Sequence, residues 1–197
     1  MLTVKAEDKG RPPRSSVAKV VITVTDVNDH QPQFVLPLRG SVKENKPANT
    51  FIMQLSATDR DTGSNARLTY SFENNQYKNT FSLNATTGEI RTKKELDREL
   101  QETYVVKVRV SDAGTPPLYS ITDVTITIID EDDNCPTLDP KEYNVTISEN
   151  STVGTSVIRV YGKDKDVGAE LIYAIQSGNT RGAFQIEHGT GKFNYNQ

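Results

Sequence analysis

The stretch TDVTITIIDEDDNCP, residues 122–136, joins two patterns that decide how the chain folds. Its first half alternates polar and β-branched apolar side chains, which is typical of a half-buried strand. Its second half gathers oxygen-donor side chains between Asp130 and Asn134, and a proline then closes the segment. An earlier stretch, VTDVNDHQP at residues 24–32, has the same order of acidic residues and proline after an apolar run. A strand that ends twice in clustered carboxylates indicates a recurring unit with a binding function at its end.

The acidic stretches belong to an internal repeat with a period of about 104 residues. Four pairs of landmarks share this spacing: Asp29 with Asp133, Glu44-Asn45 with Glu149-Asn150, TDRDTG at 58–63 with KDKDVG at 163–168, and AEDKG at 6–10 with VSDAG at 110–114. We therefore interpret residues 1–30 as the end of one repeat, residues 31–134 as a complete repeat, and residues 135–197 as the first part of a third repeat.

Within the complete repeat the local pattern is β. The run VVKVRVSD at 105–112 alternates and is rich in β-branched residues, as a half-buried strand requires. Strands are expected near residues 34–43, 50–57, 67–73, 80–83, 89–92, 103–111 and 119–129. Seven short strands with almost no helical periodicity predict an antiparallel β-sandwich. The charged segment TKKELDREL at 92–100 is predicted to be a loop.

Composition places the chain among soluble globular proteins, with 197 residues, 35% hydrophobic and 25% charged. A net charge of −3 gives no broad basic surface for nucleic acid or anionic lipid. The single cysteine, Cys135, cannot form a disulfide within the chain. A buried or tolerated thiol is the expected state, with pairing to a cysteine outside the chain as the alternative.

Three glycosylation sequons point to the outside of the cell, because N-linked glycans are attached to secreted proteins. They begin at Asn84, Asn144 and Asn150. No apolar stretch reaches the roughly 18 residues that a membrane span needs, and the first residues lack the apolar core of a signal peptide. We expect an extracellular segment of a longer protein.

The spacing of the acids suits a hard cation. Calcium takes about six to eight oxygen ligands from carboxylates, amides and backbone carbonyls. Acids separated by one residue, as in Asp97-Arg98-Glu99 and Asp164-Lys165-Asp166, face the same side of an extended segment and can clamp one ion. Any single cluster could instead be a solvated turn, since Asp and Asn favour turns. Recurrence of the whole set at one period favours the metal.

Other designs fit the sequence poorly. An EF-hand that began at Asp59 would need glycine at 64 and glutamate at 70, where the chain has Ser64 and Tyr70. The stretch HGTGK at 188–192 lacks the Ser or Thr after its lysine that a phosphate-binding loop requires, and it matches a turn one repeat earlier. His30 and His188, the two histidines, have no nucleophile constellation, so no enzyme is expected.

The combination Glu-Asn, Asp-X-Asp-X-Gly, Leu-Asp-Arg-Glu, Ser-Asp-Ala-Gly and Asp-X-Asn-Asp-X-X-Pro resembles extracellular cadherin repeats, and it spans the whole chain. This resemblance implies tandem seven-stranded Greek-key β-sandwiches of immunoglobulin-like type, joined by calcium-binding linkers. It implies three Ca²⁺ ions at each junction between repeats. It also implies calcium-dependent cell–cell adhesion by the ectodomain of a single-pass plasma-membrane protein that meets other cadherin ectodomains, homophilically or heterophilically.

Carried over to this sequence, the resemblance implies a ligand set for the second junction. The set is Glu44, Asp97, Glu99, Glu131, Asp132, Asp133, Asn134, Asp164 and Asp166. Glu131 and Asn134 are expected to bind through their backbone carbonyls, and Asp132 stands where the family usually has asparagine. The third repeat is two residues shorter after Asp166, so it lacks a match for Asn65. The ion nearest the third repeat loses that ligand, and its last acid falls beyond Gln197.

The first junction is expected to use a second set. The set is Val27, Asn28, Asp29, His30, Asp59, Asp61, Asn65 and Asp112. The ligand is the backbone carbonyl for Val27, His30 and Asn65, and His30 replaces the usual asparagine. The glutamate and the Asp-Arg-Glu segment of the preceding repeat lie before Met1. Asp8 matches the acid that would serve a still earlier junction.

The resemblance leaves two functions open: an adhesive segment, or a non-adhesive rigid spacer of a receptor or matrix protein. The absence of tryptophan excludes the tryptophan exchange that some cadherins use for adhesion. We expect an internal segment of a large Fat-like, Dachsous-like or protocadherin-like molecule. Extracellular modules bind calcium at about 10⁻⁴–10⁻³ M. The sites are therefore expected to be filled outside cells, where calcium offsets the repulsion between the carboxylates.

Overall fold

The structure, a computed structural model, describes residues 1–196. Every regular element in this range is a β-strand, as the sequence predicts. The strands are β1 (Leu2–Glu7), β2 (Ser15–Val20), β3 (Gln33–Phe34), β4 (Arg39–Lys43), β5 (Phe51–Gln54), β6 (Ala57–Thr58), β7 (Thr69–Phe72), β8 (Phe81–Leu83), β9 (Glu89–Thr92), β10 (Thr103–Ser111), β11 (Tyr119–Ile129), β12 (Thr137–Leu138), β13 (Ser156–Arg159), β14 (Gly162–Lys163), β15 (Phe184–Ile186) and β16 (Lys192–Tyr195).

The chain packs as two compact units. Unit 1 comprises Met1–Leu38, Met53–Ile90 and Val106–Val124. Unit 2 comprises Arg39–Ile52, Arg91–Val105 and the chain from Thr125 onward. Strands β10 and β11 run through both units, so each unit contains part of residues 31–134.

The largest sheet has four strands in the order β4-β11-β10-β7. In unit 1, β10 pairs antiparallel with β7, and Val110 lies opposite Tyr70. In unit 2, β11 pairs parallel with β4, and Ile128 lies opposite Val42. Smaller sheets have the orders β5-β9-β8 and β3-β6. Sequence-distant strands are therefore neighbours, which brings the loops at the strand ends together.

The core of unit 1 follows the alternation read from the sequence. Val106, Val108 and Val110 of β10 are buried, whereas Lys107 between them is exposed. The buried apolar side chains of this unit are Met53, Leu55, Tyr70, Phe81, Ile90, Val106, Val108, Val110 and Val124. Removing such side chains from water is the main favourable term in folding, at about 1.5–3 kcal/mol for each large side chain.

Unit 2 has buried apolar side chains of its own. They are Val42, Ile52, Leu96, Tyr104, Ile126, Ile128 and Ile186. The segment predicted as a loop, 92–100, carries no helix and continues no strand beyond Thr92, which confirms that prediction. Leu96 anchors this loop because its side chain is 4% exposed, and the neighbouring Asp97 is thereby held near the strand ends.

Two predicted strands are each divided in the structure. The expected strand 34–43 consists of β3 and β4, with Pro37 between them, which has no backbone N–H to continue a ladder. The expected strand 50–57 consists of β5 and β6, because β6 leaves the sheet of β5 and pairs antiparallel with β3. The predicted number of seven strands is therefore too low for residues 31–134.

The strands after residue 135 have the same pairing orders as strands of residues 31–134. The pair β12-β14 corresponds to β3-β6, and the sheet β13-β16-β15 corresponds to β5-β9-β8. Gly88 and Gly191 end equivalent turns with positive φ of 73° and 67°. A Cβ at either glycine would lie 2.5 Å from a backbone oxygen, of Leu55 or of Val160, so glycine is required at both turns. The HGTGK stretch is therefore a turn, as predicted.

Candidate metal centres

Oxygen-donor side chains gather at two places, one in each compact unit. The first acidic site, in unit 1, consists of Asp26, Asn28, Asp29, His30, Asp59, Asp61, Asn65 and Asp112. The second acidic site, in unit 2, consists of Glu44, Asp97, Glu99, Asp130, Asp132, Asp133, Asn134, Asp164 and Asp166. Both sites contain side chains that the sequence analysis selected, together with one aspartate each that it missed.

Glu44 is the structural anchor of the second acidic site. It follows β4 directly and its exposure is 0%. One carboxylate oxygen accepts a hydrogen bond from the Glu131 amide at 2.9 Å, and the other accepts one from the Arg98 amide at 2.7 Å. Carboxylate oxygens of Glu44, Asp97 and Glu99 lie within 4.8 Å of one another. This carboxylate therefore holds residues 131–134, called the linker below, and the 92–100 loop next to each other.

Asp130 is a member of the second acidic site that the sequence analysis did not select. Its carboxylate oxygens lie within 4.8 Å of those of Glu99 and Asp166. Oδ2 accepts a hydrogen bond from the Val167 amide at 2.7 Å. Oδ1 is buried and has no hydrogen-bond partner, although the Arg98 guanidinium lies 3.1 Å away. The signal was present in the sequence, because Asp130 is the first acid after the alternating run.

The segment that contains Asp133 and Asn134 and the loop that contains Asp164 meet at Asp166, which is buried. The amide and side chain of Asn134 donate to its two carboxylate oxygens at 3.0 and 2.8 Å. The Asp166 amide in turn donates to Asp164 Oδ1 at 3.1 Å. The Asn134 side chain also donates to Asp133 Oδ1 at 2.7 Å, and Asn45 donates to Asp133 Oδ2. These bonds link five acidic or amide groups into one network.

The second acidic site is crowded with negative charge. A hydrogen bond shared with Asp166, and the charge of that residue, raise the pKa of Asp132, and Asp164 and Asp130 add to the effect. Burial acts to raise the pKa of Asp166 as well, but hydrogen bonds from the side chain and amide of Asn134 outweigh it and hold that pKa below its usual value. Carboxylates in this arrangement repel each other unless cations are present.

Glu131 contributes its backbone to this region and keeps its carboxylate elsewhere. Its side chain accepts hydrogen bonds from Lys46 at 2.8 Å and from Lys43 at 3.3 Å. The bonds to these lysines lower the pKa of Glu131, against the effect of burial. The placement is compatible with the expectation that Glu131 acts through its backbone carbonyl.

In the first acidic site, Asp61 has the position that Asp166 has in the second. It is buried, and its Oδ2 accepts a hydrogen bond from the His30 amide at 3.1 Å. Nδ1 of His30 lies 2.6 Å from Asp61 Oδ1 and also 2.6 Å from Asp29 Oδ1. The Asp61 amide donates to Asp59 Oδ1 at 3.0 Å, while Asp59 Oδ2 is buried without a hydrogen-bond partner. The histidine side chain therefore takes the place of the asparagine side chain of the other site.

The contact between His30 and Asp61 shifts the pKa of both groups. The hydrogen bond to Asp61 raises the pKa of His30, although partial burial opposes it. Burial acts to raise the pKa of Asp61, but the hydrogen bonds from the ring and amide of His30 outweigh it, so the pKa lies below its usual value. Both shifts favour an ionised carboxylate at Asp61.

Asn28 and Asp112 form the other end of the first acidic site. The Asn28 side-chain nitrogen donates to the Pro116 carbonyl at 2.8 Å and lies 3.3 Å from Asp112 Oδ1. Its Oδ1 is buried and has no hydrogen-bond partner. Asp112 is itself buried and accepts hydrogen bonds from the amides of Gly114 and Leu118, at 3.0 Å each. A Cβ at Gly114 would overlap the Asn28 side chain, so this glycine makes room for it.

Asp26 is the second residue that the sequence analysis missed. Its Oδ2 accepts hydrogen bonds from the Thr62 amide at 2.9 Å and from the Asn65 side chain at 3.0 Å. It precedes the linker as Asp130 does at the second site. Asn65 was expected as a ligand through its carbonyl, and the structure places its side chain on this aspartate.

Asp8 and Val27 are the two remaining residues that were predicted to be metal ligands. Asp8 is exposed, and its Oδ1 accepts the amides of Gly10 and Arg14 at 3.0 and 2.8 Å, which is the same local pattern that Asp112 forms. Val27 has an exposed side chain, so only its backbone could serve the first acidic site.

The donor chemistry of both sites fits a hard divalent cation. Among the described residues, the buried side-chain polar atoms without a hydrogen-bond partner are Asn28 Oδ1, Asp59 Oδ2, Asp130 Oδ1 and Asn194 Oδ1. Three of the four belong to the acidic sites, and all three are oxygen atoms. Leaving a buried acceptor unsatisfied costs about 1–3 kcal/mol. A bound cation that prefers oxygen ligands removes that cost, and calcium is such a cation.

The three sequon asparagines lie on the surface. Asn84 is exposed in the turn before β9, where its Oδ1 accepts the amides of Thr86 and Thr87 at 2.9 and 3.0 Å. Asn144 and Asn150 are also exposed. Exposure is the condition that glycan attachment requires, so all three remain predicted glycosylation sites.

The fold and the two sites define a class: an all-β repeat protein with carboxylate-rich binding sites at its strand ends. Residues 38–129 match the family model of the Cadherin domain. The chain belongs to the cadherin superfamily, which confirms the resemblance stated from its motifs. Cadherin domains are immunoglobulin-like β-sandwiches that in general bind calcium, and the predicted fold class is confirmed.

Relatives at the sequence level are large receptors. Cadherin EGF LAG seven-pass G-type receptor 2 of Mus musculus is 41% identical over 192 residues, which cover 96% of this chain and 7% of that protein. The protocadherin-like wing polarity protein stan of Drosophila melanogaster is 36% identical over 192 residues, which cover 97% of this chain and 5% of that protein. The chain therefore spans less than a tenth of the length of these curated relatives.

Solved structures of cadherin repeats have the same fold. Extracellular cadherin domains 3–6 of Protocadherin Gamma B2 superpose with a TM-score of 0.82 and 27% identity, over 99% of this chain and 50% of that one. Domains EC22–24 of mouse Cadherin-23 superpose with a TM-score of 0.77 and 29% identity, over 99% of this chain and 63% of that one. Within the described residues, no helix is long and apolar enough to cross a bilayer.

Proposed function

We propose that this chain is part of the calcium-binding ectodomain of an adhesion receptor, and that calcium at the two acidic sites joins successive repeats rigidly. The observation that carries the proposal is the set of buried oxygen atoms that accept no hydrogen bond: Asn28 Oδ1, Asp59 Oδ2 and Asp130 Oδ1. Each belongs to a different segment of its site and each is of the type that calcium prefers.

The proposed ligands of the second acidic site are its carboxylates with the Glu131 and Asn134 backbone carbonyls. Asp130 joins the ligands expected from the sequence, because its carboxylate lies beside those of Glu99 and Asp166. Bound calcium supplies positive charge that offsets the repulsion among these groups. Glu44 holds the linker and the 92–100 loop in position, so the ligands are prearranged for the ion.

The proposed ligands of the first acidic site are Asp26, Asn28, Asp29, Asp59, Asp61 and Asp112, with the backbone carbonyls of Val27, His30 and Asn65. Repeats at 1–30, 31–134 and 135–197 place both acidic sites at repeat boundaries. The correspondence of β12 to β16 with strands of the complete repeat supports this division. Asp8 would serve a site before the first of these repeats.

We further propose that the parent protein presents these repeats outside the cell and contacts other cadherin ectodomains, homophilically or heterophilically. The relatives support a membrane receptor, and their names describe seven-pass receptors rather than the single-pass anchor expected from the motifs. The rigid-spacer function stays the alternative, because stiffness alone would satisfy the same calcium sites.

The central test measures calcium binding and the change that calcium causes in the shape of the chain in solution. Isothermal titration should give binding at about 10⁻⁴–10⁻³ M or tighter, and small-angle scattering should give a longer, stiffer particle with calcium than with chelator. Circular dichroism should keep its β signal after chelation. Asp166→Ala should weaken calcium binding, whereas Asp123→Ala, which removes an exposed acid paired with Lys107, should not. Identical scattering curves with and without calcium would contradict the proposal.

A second experiment distinguishes the adhesive function from the rigid-spacer function. Beads coated with the chain should aggregate in calcium and disperse in chelator if this segment mediates homophilic adhesion. Dispersed beads together with a calcium-stiffened particle would favour the spacer or a heterophilic partner.

A further inference from the structure

The two acidic sites differ in one ligand-bearing side chain. At the second site, Asn134 places its amide nitrogen 2.8 Å from Asp166 Oδ1. At the first site, His30 places its ring nitrogen Nδ1 2.6 Å from Asp61 Oδ1. The backbone amides of the two residues make the same bond to Oδ2, at 3.0 and 3.1 Å. The local frame is therefore the same, but only the first site contains an imidazole.

The imidazole stands between two carboxylates. Nδ1 lies 2.6 Å from Asp29 Oδ1 as well as from Asp61 Oδ1. One ligand atom from each of the three residues lies within 4.8 Å of the others. Calcium prefers oxygen and gains little from an imidazole, whereas Zn²⁺, Cu²⁺, Ni²⁺ and Co²⁺ bind imidazole nitrogen strongly and accept carboxylate oxygen.

We propose that the first acidic site also binds a borderline divalent transition-metal ion through His30 Nδ1 and one carboxylate oxygen each of Asp29 and Asp61. The ion lies where Nδ1 now contacts both carboxylates. This inference goes beyond the proposed calcium function and does not depend on it, because its distinguishing ligand is a nitrogen atom. The second site, with Asn134 at the same position, offers oxygen and amide groups only.

The surroundings give such an ion room. An open cavity of about 470 Å³ is lined by Asp26, Asp29, His30 and Asp61 among others, so water can complete the coordination. Metal–ligand distances near 2.0–2.2 Å place tetrahedral ligand atoms about 3.3 Å apart, so the present contacts must widen by roughly 0.7 Å. The His30 side chain is 44% exposed and can make this movement, while Asp61, at 3%, stays fixed.

The proton balance is simple. If the ring is charged, the ion displaces one proton from Nδ1 to solvent; if it is neutral with its proton on Nδ1, the proton moves to Nε2, which then faces away from the metal. Because Asp29 and Asp61 are also proposed calcium ligands, the two ions compete for these carboxylates. Transition-metal binding at the first site therefore reduces calcium binding there and leaves the second site unaffected.

The test exchanges histidine and asparagine between the equivalent positions 30 and 134 of the two sites. Zn²⁺ alone, as chloride in a weakly coordinating buffer, is titrated into the wild-type chain, His30→Asn and Asn134→His by calorimetry, with and without calcium. Cu²⁺ electron paramagnetic resonance then reports directly bound nitrogen. Since the chain has two histidines, His188→Gln is the control for the other imidazole.

The expected result is one Zn²⁺ site that His30→Asn weakens by at least about tenfold, that His188→Gln leaves unchanged, and that calcium weakens. The ¹⁴N splitting of Cu²⁺ should disappear in His30→Asn, and Asn134→His should create a second site. Calcium titration of the same variants reports the proposed function separately. Equal Zn²⁺ affinity of wild type and His30→Asn, or a nitrogen signal that follows His188, would overturn the inference.

Discussion

The two acidic sites are built on the same backbone frame, yet they are completed by different side chains. Asp61 and Asp166 are both buried, and each is in contact with the backbone amide and the side-chain nitrogen of one residue, His30 or Asn134. Asp26 and Asp130 each accept a hydrogen bond from the backbone amide of the residue that follows the buried acid, Thr62 or Val167. The comparison teaches that the buried carboxylates and backbone amides define the site, while the outer positions can change.

The largest expected effect comes from Glu44→Ala. Removing this buried carboxylate leaves the amides of Arg98 and Glu131 without acceptors, at about 1–3 kcal/mol each. The unfolding midpoint of the chain should fall by several degrees and calcium binding at the second acidic site should be lost. Differential scanning calorimetry and calcium titration measure both effects.

Glu149→Ala is the matched control, because Glu149 has the equivalent sequence position in the third repeat but is exposed. It should leave both properties nearly unchanged. A midpoint for Glu44→Ala within error of the wild type would show that this carboxylate does not organise the site.

The next-largest effects are expected from substitutions of Asp130 and Asp26, the two aspartates that precede the linkers. Asp130→Asn should weaken calcium binding at the second acidic site by about ten- to a hundredfold, and Asp26→Asn should do the same at the first. Each substitution keeps an oxygen acceptor for the amide of Val167 or Thr62 and removes one negative charge. Titration of each variant against the wild type should show one class of sites altered and the other intact; loss of both classes would mean that the sites are not independent.

A smaller effect is expected from Gly114→Ala. The added Cβ overlaps the Asn28 side chain, which must move away from Asp112 and Pro116. Calcium affinity of the first acidic site should drop by roughly tenfold while the second site keeps its affinity. Gly189→Ala is the control because nothing lies within 4 Å of a Cβ at that position. If calcium binding survives Gly114→Ala unchanged, Asn28 does not need its present position.

The smallest effect belongs to Asn65→Ala. It deletes one hydrogen bond, from the Asn65 side chain to Asp26, worth about 0.5–1.5 kcal/mol or roughly a two- to tenfold change in affinity. The second acidic site has no counterpart of Asn65, so this variant makes the first site more like the second. Calcium titration checks the change, and a hundredfold loss would mean that Asn65 does more than position Asp26.

Much of the fold could be predicted from the sequence because alternation of β-branched residues is a strong local signal. The run around Val106, Val108 and Val110 lies where it was expected. Pro37 marks the break between β3 and β4 in the sequence itself, although the predicted strand 34–43 ran across it. The break between β5 and β6 was missed because it depends on which distant strand each segment pairs with. Local periodicity carries no information on that choice.

The acids of both sites were mostly found from their recurrence, but Asp26 and Asp130 were not. Each stands at the last position of an apolar run, where an acid is easily interpreted as the start of a turn. The contacts that bring Asp130 next to Glu99 and Asp166 arise from three segments far apart in the chain. The side-chain role of His30 was missed for the same reason, since the buried partner Asp61 lies in another loop.

The parallel pairing of β4 with β11 has a mechanical consequence. Five residues of Arg39–Lys43 lie in register with Thr125–Ile129, and both strands run in the same direction. Tension applied to the chain before Arg39 and after Ile129 would pull these strands past each other lengthwise. All hydrogen bonds of the pair would then bear the load together instead of opening one after another. The Glu44 side chain adds a further bond at the end of this pair, from the Glu131 amide, so the segment that follows β11 also resists stretching.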